Sequence, residues 1–345
     1  MAPPLRIAVA GAGLIGARHA RLIAAEPAAR LAAIVDPDVR GSALAAALGV
    51  PHHASVGALC AARGADALIV ATPNQAHETV GVAAAQAGLH LLVEKPIAHD
   101  LASAQRLIAA AQAAKVGLLV GHHRRYHPFV ARARALLDGG TLGRLVAISA
   151  HWALRKHDAY FADAWRLQAG GGPILINLIH DIDMLRHLCG DIVDVRALGA
   201  SAARGHAVVD TAAVALRFVG GALATVLMSD AAPSPWNWES ATGENPSVPE
   251  AGEPCYRFFG TAAALEFPRL RLWRHDGAGP GDWSLPLSAD DAPGAAPGPG
   301  EPLRRQLQHF IAVAHGREAP LVSGPDGLAS LAATLEVARA AVAAA

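Results

Sequence analysis

Through the first third of the chain, short apolar runs take turns with longer amphipathic ones. Leu5, Ile7 and Val9 open an apolar strand, and Gly11, Gly13 and Gly16 then lead into an alanine-rich helix that stops near Pro27. Leu31 to Val35 forms the next strand, with Asp36 at its end. Asp38 is placed to cap a helix through Leu48, and Ser55 another through Ala62. The run ALIVA at 67–71 predicts a buried strand, followed by Thr72-Pro73-Asn74 and a helix from about His77 to Ala87. Leu91 to Val93 is a further strand, Asp100 caps a helix to about Ala113, and Val116 to Val120 closes the set. Continuous apolar strands between helices predict a parallel sheet covered on both faces.

From Gly121 the pattern changes. A basic, aromatic stretch, GHHRRYHP, precedes a helix from about Pro128 to Leu137 and a strand from Leu145 to Trp152. A loop with Tyr160, Phe161, Trp165 and Arg166 runs to the glycines at 170–172, which introduce a helix from about Leu175 to Leu188. Alternating segments follow at 192–198, 211–218 and 223–228, with Gly220-Gly221 as a hairpin signal between the last two. Shorter strands are expected at 256–259, 264–267 and 270–273. The Gly- and Pro-rich stretch Asp276 to Pro302 predicts a mobile surface loop, and helices at about 303–315 and 326–344 end the chain. The expected fold is α/β: a Rossmann domain over 1–122, then an α+β domain over 123–345 with an open, largely antiparallel sheet. The C-terminal helices are free to pack back on the first domain. No internal repeat is visible.

In such a parallel sheet ligands bind beyond the carboxyl ends of the strands, so Gly11, Asp36, Thr72, Glu94 and Gly121 converge on one site. In the G-x-G-x-x-G spacing, Gly11 allows the tight turn, Gly13 lets the backbone approach a pyrophosphate, and Gly16 lets helix and strand pack closely. The helix N-terminus offers free N–H groups to the anion. Asp36 stands 20 residues after Gly16, where an acid accepts from the adenosine ribose. An acid there repels a 2′-phosphate and no arginine directly follows it, so NAD is expected rather than NADP.

Composition narrows the partners. Of 345 residues 52% are apolar, enough for two cored domains, and 29 basic residues balance 29 acidic ones. With no Lys/Arg run, neither nucleic acid nor a membrane surface is an expected partner. Charged residues interrupt every long apolar stretch. MAPPLRIAVAG leads straight into the first strand with no room for a signal peptide, and the odd, scattered Cys60, Cys189 and Cys255 suit reduced thiols, so a cytoplasmic location is expected.

The fingerprint GAGLIG (with Leu14 and Ile15), ATPN at 71–74 with His77, EKP at 94–96 and GGGPILINLIHDID at 170–183 together resemble the Gfo/Idh/MocA family, the glucose–fructose oxidoreductase and inositol dehydrogenase-like enzymes. The resemblance spans nearly the whole chain. It implies an NAD(P)-dependent oxidoreductase acting on CH–OH groups of a sugar, inositol or related polyol, assembled as a homodimer or homotetramer through the outer face of its open sheet. Lys95, after a strand end, is expected to hold the substrate oxygen and stabilise its negative character. His180 stands where the family's catalytic histidine does, and an imidazole suits removal of the hydroxyl proton. Many relatives carry an aspartate four residues before that histidine; here the position is Ile176, with Asn177 three before. Asn177 is left to orient His180 or bind a substrate hydroxyl, and Asp183, one turn on, to orient His180 or bond within the helix. Thr72, Asn74, His77 and Glu94 resemble residues lining the nicotinamide side, and Trp165-Arg166 a pair that reaches the cofactor from the second domain. His123, Arg124 and Tyr126 sit at a strand end and are candidates for substrate contact. Trp236 and Trp238, in a proline-flanked loop, suit stacking on a sugar ring, or equally a packed loop or subunit contact.

Two other readings compete. His123 and His127 are four apart, and His180, Asp183 and His187 share a helix, but Pro128 argues against one helix for the first pair and no metal is expected. A non-enzymatic NAD-dependent sensor is the stronger rival, since one fold hosts both binding and catalysis. Binding alone requires neither Lys95 nor His180.

Overall fold

A computed structural model describes residues 3–168, 170–276, 281–292 and 301–343. The chain divides into two compact units, one of residues 1–123 and 302–332, the other of 124–301 and 333–345. Residues 302–332, which chain order alone assigns to the second domain, thus cluster with the first.

In the first unit six strands lie in the order β3-β2-β1-β4-β5-β6: β1 (Leu5–Ala10), β2 (Ala29–Val35), β3 (His52–His53), β4 (Ala67–Val70), β5 (His90–Val93) and β6 (Leu118–Val120). Every pairing is parallel. Helices α1 (Leu14–Ala24), α2 (Val39–Leu48), α3 (Val56–Ala62), α4 (His77–Gln86) and α5 (Leu101–Ala113) connect them. The Ser55 and Asp100 side chains cap α3 and α5 as expected, accepting from the Ala58 and Ser103 amides; Asp38 precedes α2 without a side-chain cap. The two-residue β3 is too short to leave a periodic signal. One core cluster joins Leu5, Ile7, Val9, Ile23 and Ile34 to Leu307, Phe310 and Ile311 of α9 (Pro302–Ala314).

The second unit holds an eight-stranded sheet in the order β14-β13-β12-β11-β7-β10-β9-β8. Its strands are β7 (Leu145–Ala153), β8 (Ile192–Ala200), β9 (Thr211–Phe218), β10 (Leu223–Ser229), β11 (Tyr256–Gly260), β12 (Ala264–Phe267), β13 (Arg271–His275) and β14 (Leu287–Asp291). Among the described residues only β7 with β10 pairs parallel; the other pairings are antiparallel. Gly221, at φ +85°, makes the predicted turn between β9 and β10. The stretch expected as one loop from Asp276 to Pro302 contains β14, zipped onto β13 from Leu287↔His275 to Asp291↔Arg271; residues 277–280 and 293–300 lie outside the described residues. Helices α6 (Pro128–Asp138) and α7 (Ile179–Cys189) contribute to the core with Trp152, Phe218 and Phe258. Two more complete the fold: α8 (Trp238–Thr242), in the segment read as a loop, and α10 (Gly324–Ala343), which the unit division cuts after Ala332. Among the described residues no helix is long and apolar enough to cross a membrane.

Candidate active site

In the first unit the glycine loop is shaped by exclusion. Gly11 takes φ +97°, and a Cβ there would lie 2.4 Å from the Ala71 carbonyl oxygen. A Cβ on Gly16 would lie 1.9 Å from the Gly11 carbonyl oxygen, so helix and turn close only without one. Gly13, by contrast, faces open space, and as the residue before α1 it supplies no side-chain cap to the helix amides. Leu14 beside it is 93% exposed, and Ile15 is half-buried. Asp36 closes the turn: its Oδ2 accepts from the Ala12 amide at 2.7 Å and its Oδ1 from the Asp38 amide at 2.8 Å. The Thr72 hydroxyl is buried with no protein partner among the described residues. Uncapped helix amides, open space at Gly13 and an orphaned hydroxyl beyond β4 fit a dinucleotide.

Beyond β5, Glu94 is buried, and its two carboxylate oxygens are engaged by the His19 imidazole at 2.8 Å and the Lys95 amide at 3.2 Å. Burial pushes this carboxyl up, but the His19 hydrogen bond and the charges of His19, His123 and Lys95 outweigh it and hold it at about 2. Glu94 is therefore a buried anion behind Lys95, already bonded to protein donors where a cofactor contact was expected. Lys95 is half-buried, and its bond to Pro96 is cis. The His77 nitrogens lie 2.8 Å from the Pro96 and Thr72 carbonyl oxygens, bracing those two loops against each other. Burial depresses its pKa, more than the two carbonyls restore. Asn74 opens a single 3-10 turn before α4, and His123 is half-buried.

In the second unit the glycines at 170–172 lead into a π-helical turn, Ile174–Leu178, that precedes α7. Such turns displace side chains from the helical register and recur at functional sites. On it Asn177 accepts a 2.6 Å hydrogen bond at Oδ1 from the Lys156 ammonium. His180, in the first turn of α7, is buried at 8% exposure. The Asp183 carboxylate is bidentate with Arg125, at 2.9 and 2.7 Å, and so bonds across elements. Trp165 is half-exposed, and Arg166 lies 4.0 Å from the Tyr160 ring centroid and pairs with Asp163 at 2.8 Å.

Two substrate candidates are corrected. Trp238 is 1% exposed: it stacks on Phe267 inside the core and donates to Glu244, presenting no ring to a sugar. Arg124 is buried against it, paired with Asp181 and Glu239, so its charge is spent on the fold. Trp236, 47% exposed, remains an available aromatic face, and Tyr126 is half-buried on the 3-10 turn of residues 123–126. Among the described residues no group of three or more His, Cys, Asp or Glu is arranged to hold a metal.

Lys156 was missed by sequence reasoning, although a compositional signal exists. Only three of the 29 basic residues are lysines, Lys95, Lys115 and Lys156. In a chain that otherwise uses arginine, two of the three lie beyond a strand end, after β5 and β7.

Residues 5–122 match a model described as an oxidoreductase family with an NAD-binding Rossmann fold, GFO/IDH/MocA, and residues 130–266 match the GFO/IDH/MocA C-terminal domain. The inositol 2-dehydrogenase of Streptomyces avermitilis is 34% identical over 233 residues, 66% of this chain and 66% of that protein. The rhizopine catabolism protein MocA of Rhizobium meliloti is 31% identical over 186 residues, 54% of this chain and 57% of its own length. The chain thus spans less than two thirds of the length of these curated relatives. A solved structure of the UDP-N-acetylglucosamine 3-dehydrogenase GnnA from Acidithiobacillus ferrooxidans matches with a TM-score of 0.75 at 26% identity, covering 99% of both chains.

Proposed function

The chain belongs to the Gfo/Idh/MocA oxidoreductase family, and from that premise we propose that it is an NAD-dependent dehydrogenase acting on a secondary alcohol, or the matching ketone, of a sugar, inositol or related polyhydroxylated compound. The observation that carries this reading is the joint retention of a dinucleotide-shaped loop and of Lys95 and His180, which binding alone does not require. The names of the relatives, inositol 2-dehydrogenase and a UDP-sugar dehydrogenase, support the CH–OH chemistry.

Bound at Gly11–Gly16, NAD supplies the hydride acceptor. The α1 amides and the Gly13 backbone hold the pyrophosphate, Asp36 the adenosine ribose, and Thr72, with Asn74, the nicotinamide side. Ribose recognition by a carboxylate favours NAD over NADP. Lys95 donates to the substrate oxygen and stabilises its negative character as the carbon loses hydride. The anionic Glu94 behind it offsets the cost of keeping an ammonium half-buried. His180 accepts the hydroxyl proton in oxidation and returns it in reduction. The outer face of the second unit's sheet fits assembly into a homodimer or homotetramer.

The test is reduced-nicotinamide absorbance with NAD, and NADP in parallel, across sugars, inositols and sugar acids. Turnover with one class is expected. Lys95→Ala and His180→Ala should each lower kcat by on the order of 10²-fold with NAD affinity retained; near-normal turnover in either removes that residue's role. Tight NADH binding with no turnover across the panel would instead favour the sensor.

A further inference from the structure

Lys156 is 8% exposed, and among the described residues the one direct hydrogen-bond partner of its ammonium is the neutral Asn177 amide. Its ammonium lies 4.2 Å from the Tyr160 ring centroid and 5.5 Å from that of Trp152. The carboxylates that influence it, Asp230 and Glu239, are each engaged elsewhere. Asp230 pairs with Arg204 at 2.9 Å, while Glu239 takes Arg124 at 3.0 Å and the Trp152 indole at 3.1 Å. Arg166 and Arg204, the other cations acting on it, have acids of their own in Asp163, and in Asp158 and Asp230. Among the described residues, then, Lys156 is a buried cation with no acid within ion-pair distance. An uncompensated buried charge is costly. Here burial lowers the lysine to about 8, outweighing Asp230 and Glu239, which act in the opposite sense, while Arg166 and Arg204 add smaller contributions to the fall.

Asn177 explains how that charge stays available. An aspartate there would neutralise the ammonium in an internal ion pair; the amide fixes its position and leaves it positive. With Oδ1 held by Lys156, the Asn177 NH₂ group is left as a donor beside the cation. One positive charge and one amide donor match a planar group of one negative charge better than a phosphate dianion.

We infer that Lys156 and Asn177 form a subsite for a carboxylate carried by the substrate, so that the preferred substrates are sugar acids rather than neutral polyols. This rests on the dehydrogenase reading and narrows its substrate class.

The test is calorimetry on the full chain saturated with NADH, titrated with matched pairs: glucuronate and glucose, galacturonate and galactose, mannuronate and mannose, with the hexose 6-phosphates alongside. At pH 7 at least one acid should bind tenfold or more tighter than its neutral counterpart. The ratio should fall toward one in Lys156→Met and in Asn177→Asp, which supplies the internal acid. It should also fall in the wild type as pH rises through about 8, where the ammonium loses its proton. NADH affinity and melting temperature, read on each variant, separate loss of the subsite from loss of the fold. No preference for any acid, or a preference that survives Lys156→Met, overturns the subsite, and tighter binding of a hexose 6-phosphate overturns its assignment to carboxylate. NADH binding is scored separately by fluorescence. Its absence sinks the dehydrogenase reading, whereas its presence without an acid preference sinks only the subsite.

Discussion

The Asp36 carboxylate accepts from the Ala12 and Asp38 amides and so ties the glycine loop to the end of β2. Asp36→Ala should weaken NAD binding and relax discrimination against NADP; unchanged selectivity in a side-by-side titration would place ribose recognition elsewhere. His19 and Glu94 form a second tied pair. Because the Glu94 carboxyl sits at about 2 when folded, against an ordinary 4.5, it contributes stability that is complete above about pH 4.5 and drains away as pH falls toward 2. His19→Ala strips that carboxyl of its partner, and the midpoint of acid unfolding, followed by circular dichroism, should move to higher pH. At this scale the sequence is uneven evidence. Gly11 and Gly16 were legible because their demands show in the spacing of one turn: Gly11 takes φ +97°, and a Cβ on Gly16 collides with the Gly11 carbonyl. Trp238 was not, because its burial depends on Phe267, a partner 29 residues away that only the folded sheet brings under it. Lys156 escaped notice for a similar reason: whether a lysine is paired depends on where Asp230, Glu239 and their arginines come to rest.

Elements with one strong periodic or apolar signal were readable, and their boundaries follow from caps and turns. The parallel strands from β1 to β6, other than β3, fell where continuous apolar runs required them. The helix predicted from Leu175 was read as uniform, whereas its first turn is π-helical; hydrophobic spacing does not distinguish one extra residue in a single turn. Strand β14 hid inside a Gly- and Pro-rich stretch because an edge strand with one neighbour carries little apolar patterning. The most demanding contact between elements is that of α1 on the fingerprint turn. Gly16→Ala would force a Cβ into the Gly11 carbonyl. Overpacking of this kind costs about 1–3 kcal/mol, so the melting temperature should drop and NADH affinity should fall with it. A variant that melts and binds like the wild type would show that the turn yields without cost.

Across the whole molecule, the class of each sheet was visible in the sequence, but the order of strands in the second was not. Antiparallel neighbours joined by short turns could be guessed, whereas β7 pairing parallel with β10 spans residues 147 to 223. That sheet leaves apolar side chains outward in one row: Leu198, Ala213 and Leu227 are register partners, and Leu198 and Leu227 are 66% and 45% exposed. If the row is a subunit interface, Leu227→Glu should lower the mass measured by analytical ultracentrifugation without altering the melting of secondary structure; an unchanged mass would assign assembly to another surface.

The membership of Leu307, Phe310 and Ile311 in the first unit's core has a temporal side. During synthesis the ribosome delivers β1 to β6 long before α9. The nascent Rossmann sheet must wait, with part of its apolar surface uncovered, while the whole of the second sheet is being made. Of the two units, the one whose sheet emerges first is completed only when α9 follows the second sheet, and a chain that stops before Pro302 lacks the side chains that cover this part of its core.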